Sequence, residues 1–155
     1  MATFVELPSA LTKSPSFQIE RVRRHTKDEV ERTLAAHNAT MREFWILTCV
    51  AERPCSQTQL SELLAIDASD MVRLIDSLET HGWVKRERDP KDRRRQIVSP
   101  TKKGGKAQAE LAANVAAAEE RALDATSHKH LKSLKKLSKA ILQDNQDAQD
   151  TQDTE

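Results

Sequence analysis

Two cysteines, five histidines and a dense run of cations are the side chains of this sequence with chemistry to offer. Cys49 and Cys55 stand six positions apart, which is neither a C-x-x-C pair nor a zinc spacing. Cys49 sits in an apolar stretch and reads as a small hydrophobe. Cys55 follows Pro54 at the start of a helix, where a helix N-terminus would lower its thiol pKa. His25, His37, His81, His128 and His130 are scattered, and the H-x-H at 128–130 has no thiol or acidic cluster beside it. No metal and no cofactor is therefore expected. Neither G-x-S-x-G nor H-E-x-x-H occurs, and three glycines cannot build a phosphate cradle. The carboxylates fall mainly on helix surfaces, and the chain reads as no enzyme.

The cations are the stronger signal. Between Lys85 and Lys106, ten basic residues oppose three acidic ones, a surplus of seven hidden by a whole-chain net charge of +1. From Gln143 to Glu155 there are five acidic residues and no basic one. Such a basic block is either a solvated surface or a nucleic-acid contact, and its place in the fold decides between them.

Caps and apolar periodicity supply that place. Phe17, Ile19, Val22, Val30 and Leu34 outline a long first helix, about 17–36. Thr40 and Glu43 have capping-box spacing before Phe44, Leu47 and Ala51, and Pro54 closes that helix. Ser56 and Gln59 repeat the spacing before Leu60, Leu63 and Leu64. Asp67 and Asp70 precede Met71, Leu74, Ile75 and Leu78, and Gly82 stands where a left-handed residue ends a helix. Helices of about 56–65 and 68–81, joined by two or three residues, cross as a helix-turn-helix. Trp83–Arg88 and Gln96–Ser99 read as strands around the turn Asp89-Pro90-Lys91-Asp92, a β-hairpin wing directly after the second helix. Thr101 caps an Ala-rich helix of about 102–125, and a break at Thr126-Ser127 leads to a last helix ending near 143. The segment 144–155 has no large apolar residue and is expected to be disordered.

The fold class is thus mainly α with a small β-wing. It comprises an N-terminal segment and first dimerisation helix (1–37), a winged helix-turn-helix lobe (38–100), C-terminal dimerisation helices (101–143) and an acidic tail (144–155). Hydrophobic residues make up 37 % of the chain and aromatics 3 %, which leaves a thin core for 155 residues and favours helices shared with a second copy. Leu111, Val115, Leu131, Leu134 and Ile141 serve either that partner or an intrachain core. No run of about 18 apolar residues and no secretory signal is present, so a cytoplasmic protein without a membrane partner is expected.

Three segments carry a family resemblance: Val72–Glu79, then His81-Gly82-Trp83-Val84-Lys85-Arg86, then Asp89-Pro90-Lys91-Asp92-Arg93-Arg94-Arg95, closed by Val98-Ser99-Pro100-Thr101-Lys102-Lys103-Gly104. A helix-end Gly, a basic strand, a D-x-R wing and a T-x-x-G helix start, in that order, resemble the MarR family of bacterial transcriptional regulators. The resemblance implies that the second helix of the motif enters the major groove through Ala68, Ser69, Asp70, Val72, Arg73 and Asp76, with Ser56, Thr58 and Gln59 at the start of the helix before it. It implies a wing contact in the minor groove by Arg94, with Asp92 holding a neighbouring arginine and Arg88, Lys91, Arg93 and Arg95 nearby. Val72 stands where the family often has a hydroxyl-bearing residue, and Pro100 where a strand residue is usual.

The resemblance further implies a repressor that binds double-stranded DNA at an inverted repeat as a homodimer. A small aromatic or amphipathic effector would release it by favouring one spacing of the two reading heads. Phe17, His25, His37, Phe44 and Trp45 are the candidates to line an effector cleft, and each is equally a candidate for ordinary packing. Lys85, Arg86, Lys91, Lys102 and Lys103 suit phosphate contacts, and Arg73 either reads DNA or pairs with Asp76 or Asp92. The rival readings are a winged-helix module for protein–protein contact and a thiol-based redox sensor.

Overall fold

The computed structural model describes residues 6–124 and 128–152, with side chains up to residue 143. The chain divides into two units, Met1–Arg121 and Ala122–Glu155. In the first, the elements run α1 (Ser9–Thr12), α2 (Pro15–Ala35), α3 (Met41–Glu52), β1 (Cys55–Ser56), α4 (Gln57–Leu64), α5 (Ala68–Thr80), β2 (Val84–Arg88), β3 (Gln96–Pro100) and α6 (Lys102–Ala122). The second contains α7 (His128–Gln152).

Each cap does what its residue type allows. Thr40 Oγ1 accepts from the Glu43 amide at 3.2 Å, but the Glu43 side chain does not return the bond, so α3 has only half of the expected capping box. At α4 the box is complete: Ser56 Oγ accepts from the Gln59 amide at 3.1 Å, and Gln59 Oε1 accepts from the Ser56 amide at 2.9 Å. Replacing Ser56 by Ala removes an acceptor that is only 2 % exposed, and a loss of about 1 kcal/mol is expected in a urea melt. Asp67 caps α5 through the Asp70 amide. That helix ends in a Schellman turn. Gly82 has φ +74°, its N–H donates to Glu79 O at 2.8 Å, and the Trp83 N–H donates to Leu78 O at 3.1 Å.

The sheet has the order β1-β3-β2 and is antiparallel throughout. The hairpin β2–β3 pairs Val84 with Pro100 and Arg88 with Gln96, so Pro100 lies in the strand, at its last position where a missing N–H costs least. The two-residue β1 pairs with Val98 and Ile97; it is too short to leave a periodic signal. The core gathers Val30 and Leu34 of α2, Ile46, Leu47 and Val50 of α3, Leu60 of α4, Met71, Ile75 and Leu78 of α5, and Val98 of β3. Leu111, Val115 and Ala118 of α6 complete it, so the first two belong to an intrachain core. Leu63, expected in the buried stripe of α4, is instead exposed, and Leu64 is only half-buried.

In the second unit, Leu131, Leu134, Leu137, Ile141 and Leu142 of α7 are 38–61 % exposed. The disorder expected from residue 144 is corrected by a helix that continues to Gln152. Once nucleated, a helix gains one backbone bond per residue added, so a polar tail can prolong it without tertiary packing. The expected break at Thr126-Ser127 lies outside the described residues. Among the described residues no helix is long and apolar enough to cross a membrane.

Candidate nucleic-acid interface

The candidate interface is built on α5 and the hairpin. α5 is strongly two-faced: Met71, Ile75 and Leu78 are buried, while Ala68, Ser69, Val72, Arg73 and Asp76 are exposed and Asp70 is half-exposed. Ser69, Val72, Arg73 and Asp76 share one face by helical spacing. The sequence-predicted reading face is therefore at the surface. All three of its charges are already engaged. Arg73 Nη2 pairs with Asp70 Oδ1, not with Asp76 or Asp92, and Asp70 also faces Arg42 Nη1 of α3 at 3.6 Å. Asp76 is bound by Arg86 of β2.

Of the three candidates at the start of α4, Thr58 and Gln59 are exposed. Ser56, the third, is placed differently. It is buried as a two-residue strand and cap, because β1 pairs it with Ile97.

The wing loop is organised by its acids. The Asp89 amide donates to Arg95 O at 3.0 Å, Asp89 Oδ1 accepts from the Lys91 amide at 2.9 Å, and the Arg95 amide donates to Asp92 O at 3.0 Å. Asp92 then grips Arg94 three times. Oδ1 accepts from the Arg94 amide at 3.1 Å and from Nε at 3.0 Å, and Oδ2 accepts from Nη2 at 3.2 Å. The Arg94 hydrogen bond holds the Asp92 carboxyl below its ordinary value of 3.8, and the same bond raises the Arg94 guanidinium. A carboxylate whose pKa is depressed keeps its contribution above the unfolded value and loses it only as pH falls through the folded one, so the grip holds at neutral pH. The Arg94 side chain remains 91 % exposed, a planar cation presented in one orientation at the wing tip. Arg95 reaches Asp89 at 3.9 Å, whereas Arg88, Lys91 and Arg93 are exposed and have no charged partner within ion-pair distance among the described residues.

The base of the wing holds what periodicity did not reveal. Arg86, expected as a phosphate contact, is tied to Glu79, Asp76 and Gln57. Glu43, 4 % exposed, accepts from Ser77 Oγ at 3.0 Å and lies 3.6 Å from His81 Nε2, whose ring stacks on Trp83 at 4.1 Å. A buried carboxylate needs such partners, and they secure α3 to the C-terminal end of α5.

The effector candidates do not share one environment. Phe17 is half-buried beneath the Arg21 guanidinium at 5.9 Å, and Phe44 packs on the core. His37 Nε2 lies 2.9 Å from Asn114 Nδ2, while His25 and Trp45 are exposed.

The thiols correct another expectation. Cys55 is buried, and burial pushes its pKa up, not down; Cys49, half-buried, is raised by the same cause. Both thiols should alkylate slowly with iodoacetamide at neutral pH in the folded protein, Cys55 the slower; rapid labelling of Cys55 would reinstate a reactive thiol. Among the described residues no cluster of three His, Cys, Asp or Glu could hold a metal ion.

Residues 37–95, the span from the end of α2 through the wing loop, match the MarR family model. No curated protein matches the chain by sequence. Among solved structures, a MarR-family transcriptional regulator from Rhodococcus sp. RHA1 is similar at a TM-score of 0.81 and 24 % identity, over 86 % of this chain and 96 % of that one. The regulator BldR from Sulfolobus solfataricus is similar at 0.77 and 26 %, over 88 % and 99 %. The repressor CouR bound to a 23-mer DNA duplex is similar at 0.81 and 25 %, over 89 % and 99 %. CouR from Rhodococcus jostii RHA1 is also similar in its complex with p-coumaroyl-CoA, at 0.77 and 22 %, over 86 % and 95 %. Mainly helical, with a three-stranded antiparallel wing on a helix-turn-helix, the chain matches the MarR family over residues 37–95 and is similar in fold to a MarR-family transcriptional regulator.

Proposed function

We propose that this protein is a cytoplasmic transcriptional repressor, acting as a homodimer on an inverted repeat and released by a small aromatic or amphipathic effector. The observation that carries the DNA-binding part is the pairing of an exposed α5 face with an exposed wing arginine that Asp92 has already oriented. α5 would sit in the major groove, with Ser69, Val72 and Arg73 against base edges, and Arg94 would enter the adjacent minor groove, where a narrow groove concentrates negative potential. Arg88, Lys91 and Arg93 would hold phosphates.

The reading mode and the surface both support two subunits. One recognition helix spans only a few base pairs, and two half-sites lie about 34 Å apart. The apolar stripe of α7, with Ile19 and Val22 exposed on α2, gives a second copy something to cover. The outer helices are accordingly proposed as dimerisation elements, before and after the lobe 38–100 along the chain. Effector release draws support from the CouR complex with p-coumaroyl-CoA.

The test is selection of bound fragments from genomic DNA, followed by gel shift of the enriched sequence against a scrambled one over a salt series. Tight binding to one inverted repeat with two subunits per site is expected. Equal, weak and salt-sensitive binding to every sequence would instead favour a basic protein-interaction surface.

A further inference from the structure

Arg86 belongs to the most basic stretch of the chain, yet only 23 % of its side chain is exposed. Its guanidinium joins three elements. Nε donates to Glu79 Oε1 at 2.6 Å, Nη2 donates to Asp76 Oδ1, and Nη1 donates to Gln57 Oε1 at 3.3 Å. A rigid fork of five donors can satisfy three acceptors in fixed directions; a lysine ammonium at the same place cannot. β2 is thereby fastened to both helices of the helix-turn-helix.

The contact also changes what Asp76 can do. By helical spacing Asp76 stands with Ser69, Val72 and Arg73, so a bare carboxylate there would meet the phosphate field of a duplex. Arg86 neutralises it and fixes where it points.

We propose that Arg86 is a positioning residue for DNA reading: it clamps the wing to the recognition helix and withdraws the Asp76 carboxylate from the duplex. The proposal rests on the DNA-binding reading. A binding constellation works when its members are held to about 0.5 Å, and a hairpin tip amplifies any rotation at its base. Arg94 gains from the minor groove only while α5 is seated in the major groove beside it. The clamp at Arg86 sets that separation before DNA arrives.

The experiment is a double-mutant cycle on the selected operator, read by fluorescence anisotropy, with Arg86→Gln, Arg94→Ala and the pair. In the wild-type background Arg94→Ala is expected to weaken binding at least about fivefold. In the Arg86→Gln background it should cost less than about twofold, because the wing no longer delivers Arg94. Losses that multiply would make Arg86 an independent contact and overturn the proposal. Asp76→Asn should leave base preference unchanged at every operator position; an altered preference at one position would make Asp76 a reader and overturn its withdrawal.

Amide hydrogen exchange on the free protein gives a readout without DNA: Arg86→Gln should speed exchange in β2 and β3, and unchanged exchange overturns the clamp. Should Arg86→Gln not fold, Arg86→Lys keeps the charge, loses the fork and is expected to show the same cycle at smaller amplitude. A wild-type chain that binds no duplex removes the DNA reading and this role together. Operator binding with unchanged exchange removes the clamp alone.

Discussion

Gly104→Ala is expected to destabilise the protein by about 3 kcal/mol or more. A Cβ built on Gly104 would lie 1.8 Å from the carbonyl oxygen of Trp83, a contact with backbone that no rotamer change relieves. The close approach is the joint between the winged helix and α6. The Thr101 N–H donates to Trp83 O at 3.0 Å, Thr101 Oγ1 donates to Gly82 O at 2.6 Å, and the same hydroxyl accepts from the Gly104 amide at 2.9 Å. The first turn of α6 is thus seated on the turn that ends α5.

Helix propensity opposes this loss but does not outweigh it, since alanine gains at most about 1 kcal/mol over glycine within a helix. Gly105 supplies the control. A Cβ there meets nothing within 4 Å, so Gly105→Ala should leave stability unchanged or raise it by up to about 1 kcal/mol. A thermal melt decides between them. Gly104→Ala should lower Tm by about 10 °C, and Gly105→Ala should not lower it. Equal melting of the two variants would mean that α6 slides on the Trp83 carbonyl at little cost.

Arg94→Ala is expected to weaken operator binding by more than about 1 kcal/mol, at least fivefold, with the dimer intact by gel filtration. The side chain is exposed and makes its side-chain bonds to Asp92, so its removal should cost the free protein little. Its value lies in the complex. Arg94 reaches the wing tip already oriented by two side-chain bonds, so less rotamer freedom remains to be lost on binding. Asp92→Ala should therefore weaken binding too, but less, because the charge survives and only its orientation is lost. Arg93→Ala provides the contrast: if Arg93 meets a phosphate, affinity falls for all sequences alike and the salt slope drops by about 0.9. Unchanged affinity of Arg94→Ala would remove the wing from the mechanism.

How much of this was legible in the sequence follows from the range of the interactions. The caps at Thr40, Ser56 and Asp67, the Gly82 turn, the Thr101 cap and the stripe Met71-Ile75-Leu78 all join residues close along the chain. Their geometry follows from the 3.6-residue helix or a tight turn, and residue type with spacing was enough to find them. The order of helix-turn-helix and wing added the family resemblance and, with it, the expected reading face.

Tertiary structure decided the rest. Ser77 meets Glu43 across 34 positions and Arg86 meets Gln57 across 29, so neither pairing leaves a local pattern. Which cation of the basic run is exposed and which is tied down depended on where β2 came to lie against α4 and α5. Arg86, expected as a phosphate contact, is thus tied to Glu79, Asp76 and Gln57, and Ser56, a DNA-contact candidate, is buried. The Cys55 thiol shows the same limit: its position at a helix start was local and visible, while the burial that raises its pKa came from β3 packing beside it. Short-range order is written in residue spacing; desolvation and ion pairing are settled only when distant elements close on one another.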